Sequence, residues 1–286
     1  MPQAGFPFFQ LDRFLKILVQ DLDKYVAISE EFANNVTGKV KSGGLLFDRK
    51  VTRIITPGTL IDEKFMDPYE NNFLLAIHVE DQLMEAETQN DALSMAVKKE
   101  TLLSTMASSL VGLAWLDLST GDFFTQATTM ASLSSAIARI RAREIVLDKP
   151  LEELDDCGLL SVLEEDRHLV TYHATPITIL PVREWTPMLE SAVPKTTESA
   201  LTSREVAAGS SLLQYLKTQL QGLNIKLQPP IRRQAEEAMC IDRNSMRGLE
   251  IQETARDGAG KGSLFHAVRR TVTKSGARLL RDRLSM

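Results

Sequence analysis

The sequence predicts an α/β protein that continues into an all-α segment, and three observations lead to this fold class. The length of 286 residues is enough for two or three domains of ordinary size. Segments with the composition of strands alternate with amphipathic helices in the first two thirds of the chain. From about Ser199 onward, apolar residues recur only at helical spacing. We therefore divide the chain into residues 1–60, 61–198 and 199–286.

The first segment, residues 1–60, contains one predicted helix and two predicted strands. Six apolar residues recur at helical spacing over residues 10–23 and predict the helix: Leu11, Phe14, Leu15, Leu18, Val19 and Leu22. Strands are predicted at 25–29 and 50–55, on either side of a loop rich in Gly, Lys and Ser at 37–44. Because these few elements lack the partners for a full core, we expect this segment to be part of a larger domain.

The second segment, residues 61–198, is predicted to form a mixed α/β sheet. Residues 60–71 are predicted to connect it to the first segment, and the polar residues 81–108 predict a long insertion. The predicted strands lie at 73–79, 110–118, 123–127, 144–147 and 169–173, and the predicted helices lie at 133–143 and 159–165. Strands that first follow one another and then alternate with helices are typical of such a sheet.

The third segment, residues 199–286, is predicted to be helical. One apolar seam steps by three, four and three residues through Leu213, Leu216, Leu220 and Leu223, and Pro229-Pro230 ends it. Two further helices are predicted at 263–270 and 273–284. The last helix has an apolar face with no following element to cover it, so we expect the chain to be a truncated part of a longer protein.

Composition and charge exclude several classes of protein. The chain is 43% hydrophobic and 25% charged, as in ordinary globular proteins, and no apolar run approaches the roughly 18 residues that suggest a membrane span. Cys157 and Cys240 are too few for a disulfide framework or a cysteine zinc site. The net charge is −5, but residues 39–53 and 261–286 are locally basic. Such clusters attract phosphates or form solvated faces, and the sequence leaves both interpretations open.

The best candidates for contacting a ligand are Arg49, Lys50 and Arg53. Strand alternation predicts Arg49 and Arg53 on one face and Lys50 on the other. Contacts from these side chains to phosphate oxygens would position DNA without reading its sequence. The alternative is an edge strand that its charges protect from pairing.

Two other motifs suggest chemistry less strongly. The Asp117–Asp122 turn is similar to the phosphate loop of actin-like ATPases, and Asp117, Asp122 and Asp148 are candidates for a two-metal nuclease site. The alternative is a tight hairpin turn. The stretch 257–263 approaches a phosphate-binding loop around Lys261, but Ala255 stands where the first glycine belongs and Gly262 where the hydroxyl residue belongs.

The histidines give no catalytic or metal pattern. His168 and His173 flank a predicted strand and are five residues apart, which points them to opposite faces. His78 and His266 have no Ser or Cys beside them in the setting of a nucleophile.

Several segments, taken in order, resemble the MutS family of DNA mismatch repair proteins over nearly the whole chain. The most informative is Arg49-Lys50-Val51-Thr52-Arg53-Ile54-Ile55-Thr56-Pro57-Gly58-Thr59, which resembles the end of the family's first domain. The other segments are Ala4-Gly5-Phe6-Pro7, Gly112 to Phe123, Glu144-Ile145-Val146-Leu147, Ile241-Asp242 with Leu249-Glu250-Ile251, and Thr271 to Leu280. Each is a modest signal alone, and their order and spacing make the resemblance specific.

The resemblance implies the identity of each segment. Residues 1–60 are expected to be the C-terminal part of a mixed α/β mismatch-recognition domain. Residues 61–198 are expected to be a connector domain with a ribonuclease-H-like fold, and residues 199–286 the beginning of a helical lever and core domain. Arg49, Lys50 and Arg53 are then expected to contact the DNA backbone.

The resemblance also implies what the full-length family does. Its members form clamp-like dimers on double-stranded DNA that contains a mispair, and they use ATP and magnesium to signal repair. The family's Phe-x-Glu motif and its ATP-binding domain have no counterpart here, and Phe8 and Phe9 are in the wrong register to replace that motif. We therefore expect this chain to be non-catalytic, with no cofactor or metal of its own and no membrane partner.

Localisation and alternative functions remain expectations. The segments Phe6 to Phe14 and Ala27 to Phe32 are most similar to the fungal mitochondrial branch, which implies maintenance of mitochondrial DNA, with the nucleus as the alternative. A second hypothesis is a ribonuclease-H-like nuclease or actin-like phosphotransferase centred on Asp117. A third is an interaction module that docks a repair protein through the connector.

Overall fold

Two antiparallel strands, a six-stranded sheet and the helices around them make up the structure. It is a computed structural model that describes residues 5–33, 47–60, 69–79, 109–153, 159, 162–163, 169–174, 179–221, 226–234 and 241–285. The strands are β1 (Val26–Ala33), β2 (Phe47–Ile55), β3 (Phe73–Val79), β4 (Leu110–Asp117), β5 (Asp122–Thr129), β6 (Glu144–Asp148), β7 (Leu169–His173) and β8 (Ile231–Arg232). The helices are α1 (Leu11–Lys16), α2 (Met130–Ile140), α3 (Lys195–Ala200), α4 (Ser203–Leu220), α5 (Arg243–Gly248), α6 (Leu264–Val268) and α7 (Lys274–Ser285).

Several shorter turns complete the described elements. A π-helical turn, Ile17–Asp21, continues α1, and 3₁₀ turns lie at Phe8–Gln10, Pro57–Thr59, Lys149–Glu153 and Val182–Met188. None of the described helices is both long enough and apolar enough to cross a membrane.

The N-terminal unit is a long two-stranded ribbon packed on one helix. β1 and β2 pair antiparallel from Val26 opposite Ile55 to Ala33 opposite Phe47. Leu15 and Val19 on the helical side and Ile55 on the ribbon are buried together in a small core. The predicted helix and both predicted strands are confirmed. The strands are longer than predicted because cross-strand pairing carries them through polar residues that the sequence pattern treats as loop.

The sheet has the strand order β7-β6-β3-β4-β5-β8. β3 to β5 form an antiparallel meander, β6 and β7 add parallel to β3 on one side, and β8 adds parallel to β5 on the other. The five predicted strands and the mixed character of the sheet are confirmed. The two-residue strand β8 is not predicted, because a strand this short after Pro229-Pro230 has no periodicity to recognise.

Each face of the sheet has its own apolar core. Alternate residues of β3 point to opposite faces: Leu74 packs with Leu116 and Leu216 of α4, whereas Leu75 packs with Leu113 and Ile137 of α2. The predicted helical seam is confirmed for Leu213, Leu216 and Leu220, which are buried. The predicted all-α segment begins at 199, but α4 packs on the sheet and is therefore part of the same core.

α4 approaches the sheet closely at its N-terminal end. Thr202 and Glu205 form a reciprocal capping box that fixes where the helix starts. Directly beneath, Gly112 of β4 lies so near that a Cβ atom there would come within 2.1 Å of the Arg204 carbonyl oxygen. The absence of a side chain at Gly112 is thus what allows the helix to lie on the sheet.

Several predictions fall outside the described residues. These are the loop at 37–44, most of the connecting segment at 60–71, the insertion at 81–108, most of the helix at 159–165, and His168, Leu223, Cys157 and Cys240.

The close approach at Gly112 gives a stability prediction. Gly112→Ala should lower the free energy of unfolding by roughly 1–3 kcal/mol, because the new methyl group meets backbone atoms that cannot rotate away. Gly248→Ala is the matched control, since a Cβ there would meet nothing within 4 Å. Urea unfolding of both variants measures the difference. Equal stability of the two variants would contradict the packing described here.

Candidate functional site

The N-terminal unit, the sheet and α4 meet at one buried carboxylate, that of Glu144. Its side chain is fully buried. Oε2 accepts hydrogen bonds from the Thr56 hydroxyl at 2.5 Å and the Gly58 backbone N–H at 3.0 Å. Oε1 accepts from the Thr171 hydroxyl at 2.8 Å and the Tyr215 hydroxyl at 2.5 Å. One carboxylate therefore joins the end of the ribbon, strands β6 and β7, and helix α4.

The turn at Thr56–Thr59 is shaped to present its donors to Glu144. The Thr56 N–H donates to the Thr59 hydroxyl at 2.9 Å, and the Pro57–Thr59 turn is closed by a capping box between these two threonines. Gly58 lies against β3 and β6, where a Cβ would be 2.7 Å from Leu74 Cδ1 and 2.9 Å from Glu144 Oε2. Only glycine lets the backbone N–H come this close to the carboxylate.

Tyr215 remains a hydrogen-bond donor to Glu144 throughout the physiological range. Burial raises the pKa of the Tyr215 phenol far above its ordinary value, and the neighbouring Glu144 carboxylate raises it further. Tyr25 extends the network from the ribbon side, since its hydroxyl lies 2.5 Å from the Thr171 hydroxyl. The junction is therefore a chain of buried and half-buried polar groups with its negative charge at the centre.

A second junction joins the C-terminal helix α7 to the sheet through charged pairs. Glu70 accepts from Arg281 at 3.0 Å and from Arg143 at 2.9 Å. Asp282 accepts from the Asn71 amide at 2.9 Å. The Arg278 guanidinium donates to the Ser119 hydroxyl at 3.3 Å and lies 3.7 Å from the Asp117 carboxylate. Thus two successive turns of α7, at Arg278 and at Arg281–Asp282, reach the sheet near the start of β3 and the β4–β5 turn.

Two further contacts of the C-terminal region involve arginines. Arg141, in the left-handed conformation after α2, donates to Gln252 at 2.5 Å and pairs with Glu253. The guanidinium of Arg269 lies 4.2 Å from the ring centroid of Tyr69. Three basic side chains of the predicted cluster at 261–286, those of Arg269, Arg278 and Arg281, are therefore engaged inside the protein, which favours the structural interpretation of that cluster.

The α7 junction shifts the pKa values of Glu70 and Asp282 in opposite directions. Burial alone would raise the pKa of Glu70, but the hydrogen bond and charge of Arg281, with the charges of Arg143 and Arg141, lower it overall. Burial raises the pKa of Asp282, and Arg233 and Asn71 only partly offset that effect. Glu70 therefore stabilises the junction when ionised, whereas ionised Asp282 opposes it.

The structure gives Asp117 a structural role. Its buried carboxylate accepts from the backbone N–H groups of Asn72 at 2.9 Å and Ser119 at 2.8 Å, and from the Ser119 hydroxyl at 2.6 Å. Asp117 pairs with Phe73 at one end of β3, whereas Asp148 lies beside His78 near the other end, five residues or roughly 16 Å away. The three predicted carboxylates do not converge, and no three His, Cys, Asp or Glu side chains of the described residues are grouped to hold a metal ion.

The carboxyl ends of three parallel strands bring together a polar row that the sequence did not predict. Asp148 of β6 is the register partner of His173 on β7, and it lies 3.4 Å from His78 Nδ1 on β3. Burial lowers the pKa of His173, while the Asp148 charge raises it. Asp148 and His173 are 70 and 95 residues from His78 in the sequence. The spacing of residues in a single sequence therefore could not predict that these three side chains lie in one row.

The ribbon changes the interpretation of Arg49, Lys50 and Arg53. Arg49 is exposed and pairs with Glu31 at 2.6 Å, and Lys50 lies opposite Glu30 in the register. A register shift at Thr52 pairs Arg53 with Ile28, so Arg53 faces the α1 side with Ile55. The prediction that Arg49 and Arg53 share a face is therefore wrong, because a bulge interrupts the alternation. The ribbon carries three basic and three acidic side chains, so its charge is balanced.

The loop around Lys261 is not a phosphate-binding loop in this structure. The Gly258 N–H donates to the Thr254 carbonyl and the Thr254 N–H donates to the Ala259 carbonyl, which closes a tight turn on itself. Turns and bends precede it over residues 250–257, where a phosphate-binding loop would follow a strand. The backbone N–H groups of Thr254 and Gly258 therefore donate to carbonyl groups of the same loop, and they do not form a phosphate-binding cradle.

Glu144 is the residue at the centre of the junction that sequence reasoning missed. In the sequence it is only the first residue of an apolar strand. A charged residue that begins such a strand is usually solvent-exposed, and its four donors lie far away along the chain. One sequence observation pointed to this region, namely the resemblance of residues 56–59 to the end of the family's first domain. The structure shows that this turn donates hydrogen bonds to Glu144.

Comparison with known proteins identifies three matched regions. Residues 1–64 match the model of MutS domain I, residues 93–228 that of MutS domain II, and residues 244–286 that of MutS domain III. The domain II match includes α4, in agreement with its packing on the sheet.

Whole-chain relatives agree with these matches. The chain is 29% identical to the DNA mismatch repair protein MutS of Anaplasma phagocytophilum (strain HZ), with 99% of the chain and 31% of the relative covered. It is 29% identical to that of Ehrlichia chaffeensis (strain ATCC CRL-10679 / Arkansas), with 100% and 32% covered. It is 30% identical to that of Synechococcus elongatus (strain ATCC 33912 / PCC 7942 / FACHB-805), with 98% and 30% covered. The chain thus spans about a third of the length of these relatives.

The Glu144 junction predicts the effect of removing one charge. Glu144→Gln should lower the free energy of unfolding by about 2–4 kcal/mol, because the amide nitrogen then faces hydroxyl or N–H donors that have lost their acceptor. Glu152→Gln, at an exposed glutamate in the turn after β6, is the matched control and should change little. Chemical denaturation measures both. A loss of under 0.5 kcal/mol in Glu144→Gln, on the scale typical of surface substitutions, would contradict this role.

The α7 junction predicts that two substitutions change the melting temperature in opposite directions. Glu70→Gln should lower the melting temperature at pH 7, and Asp282→Asn should raise it, since only the second removes a charge that opposes burial. Because the pKa of Glu70 is lowered, its contribution is present above its ordinary value of 4.5 and is lost as pH falls through the folded value. The difference between wild type and Glu70→Gln should therefore disappear in acid. Thermal unfolding from pH 7 to pH 3 tests this, and a difference that persists at the lowest pH would contradict it.

Proposed function

We propose, from the finding that this chain belongs to the MutS family, that it is the coupling portion of a DNA mismatch repair protein. The observation that carries the proposal is the physical continuity of three family domains. Glu144 joins the first to the second through buried hydrogen bonds, and the charged contacts of Glu70 and Asp117 with arginines of α7 join the second to the third. The function of this region in the full protein is to transmit the state of bound DNA toward the helical domains.

The geometry supports this transmission by connecting rigid elements. A shift of the ribbon would move the Thr56–Thr59 turn, and that turn shares the Glu144 carboxylate with β7 and α4. β3 continues the path, because its start lies between Glu144 of β6 and Asp117 of β4. Asn72 and Ser119 hold Asp117 beside Arg278 of α7. Each contact is buried or half-buried and has defined geometry, so a displacement at one end changes specific hydrogen bonds at the other.

The middle domain fits the ribonuclease-H-like connector that the resemblance implies. Its strand order β5-β4-β3-β6-β7, an antiparallel meander with two parallel strands added at β3, supports this assignment. Asp117 accepts hydrogen bonds from Asn72 and Ser119, which is a structural role. We propose, from the family resemblance, that this chain is non-catalytic. Magnesium-dependent DNA cleavage lost in Asp117→Asn, or ATP hydrolysis lost in Lys261→Ala, would overturn that part of the proposal.

Three further properties that the family resemblance implies are proposed for the full-length protein. These are the clamp-like dimer on mismatched DNA, the use of ATP and magnesium, and a repair partner docked on the connector. Membership of the mitochondrial branch rests on the sequence segments near Phe6 and Ala27, and it is tested by locating a tagged full-length protein in cells.

The balanced ribbon predicts how this chain binds DNA. Fluorescence anisotropy should show weak binding of similar strength to a G·T-mismatched duplex and its matched control, and it should decrease as salt increases. Glu30→Gln combined with Glu31→Gln should strengthen binding by roughly threefold to tenfold, because Arg49 and Lys50 then lack their acidic cross-strand neighbours.

The control removes the same charge elsewhere. Glu184→Gln combined with Glu198→Gln, at exposed positions on the α4 side of the sheet, should leave binding nearly unchanged. Equal strengthening by both double variants would mean that net charge alone acts. A clear preference of the wild-type chain for the mismatch would show that recognition resides in these residues and would contradict the coupling-only assignment.

A further inference from the structure

A cavity of about 300 Å³ lies between the sheet and the C-terminal helix α7. Its apolar wall is aromatic: Trp115 stacks on Phe124 with 5.5 Å between ring centroids, and Phe73 meets Phe124 edge-on at 6.3 Å. The volume is at the lower end of the range for small-molecule sites. A ligand with a single ring system fits a space of this size and character.

The polar wall of the cavity is predominantly cationic. Arg139 of α2, Arg233 after β8 and Arg283 of α7 line it, and Asp282 is the one acidic residue among the described residues of the lining. The guanidinium of Arg233 also lies 4.9 Å from the Phe124 ring centroid. The Nε atom of Arg139 is buried without a hydrogen-bond partner. Convergent guanidinium groups in a partly enclosed space favour an anion, and phosphate accepts their paired donors best.

Gln126 supplies the observation that points to a ligand. Its side chain is only 5% exposed, lines the cavity, and makes no hydrogen bond to the described residues. The amide lines the cavity without a hydrogen-bond partner among the described residues, and a polar ligand there would supply one. An amide that both donates and accepts also matches the edge of a nitrogen heterocycle.

We propose that this cavity binds a free mononucleotide. The base would lie against the aromatic wall with its edge on the Gln126 amide, and the phosphate would lie between Arg139 and Arg283. The cavity lies on the α2 side of the sheet, away from the Glu144 junction, and it shares Asp282 with the α7 junction. The inference does not rest on the proposed coupling function, because its observations are the lining of the cavity alone.

The test is calorimetric titration of the 286-residue chain with AMP, adenosine and inorganic phosphate. AMP should bind saturably with a Kd below about 1 mM, and adenosine and phosphate should each bind at least about tenfold more weakly. Arg139→Gln, Arg283→Gln and Gln126→Leu should each weaken AMP binding by roughly tenfold. Arg183→Gln, an exposed arginine on the opposite face, is the matched control and should leave it unchanged.

Two further readouts keep the test decisive. Bound AMP should quench the emission of Trp115, one of two tryptophans in the chain, and Trp115→Phe should abolish the quenching. Arg283→Lys keeps the charge without the planar fork, so it should lose affinity even where Arg283→Gln fails to fold. Absence of saturable AMP binding, equal affinity for phosphate alone, or an equal loss in Arg183→Gln would each overturn the proposal.

Discussion

A single buried carboxylate holds the ribbon, the sheet and α4 in register. Glu144 has no exposed surface and is surrounded by donors from three other segments, so its charge is stable only when all of them are in place. A buried charge that loses one partner becomes strongly unfavourable, which makes the arrangement of ribbon, sheet and α4 cooperative. Domains that are merely adjacent could move independently, whereas this cooperativity makes the ribbon, the sheet and α4 move together.

Several charged residues that the sequence offers as phosphate contacts pair within the molecule. The predicted basic cluster at the C-terminal end supplies Arg278 and Arg281 to acidic partners on the sheet, and the ribbon balances Arg49 with Glu31. Local charge counted along a sequence therefore overestimates what a surface offers to phosphates, because cross-strand and interdomain partners lie elsewhere in the chain. Internal ion pairs of this kind fix how the elements pack on one another, and they leave less positive charge to attract DNA.

The sequence predicted the elements well where their periodicity was long. The alternation in β3 to β5 and the leucine seam of α4 repeat over several turns or residue pairs, so packing reinforces the local signal. It could not predict the Glu144 network, whose partners lie 71 and 88 residues away. It also placed Arg53 on the wrong face, because one bulged residue at Thr52 reverses the alternation for everything beyond it.

Hydrogen–deuterium exchange of Glu144→Gln, compared with wild type, tests whether this carboxylate links the ribbon, β7 and α4. We expect faster exchange in three separated segments together, the turn at 56–59, β7 and α4, while α2 and the β4–β5 hairpin keep their protection. The Gly58 amide, which donates to this carboxylate, should change most. Faster exchange confined to β6 and its immediate neighbours would contradict the role of Glu144 as the link between the ribbon, the sheet and α4.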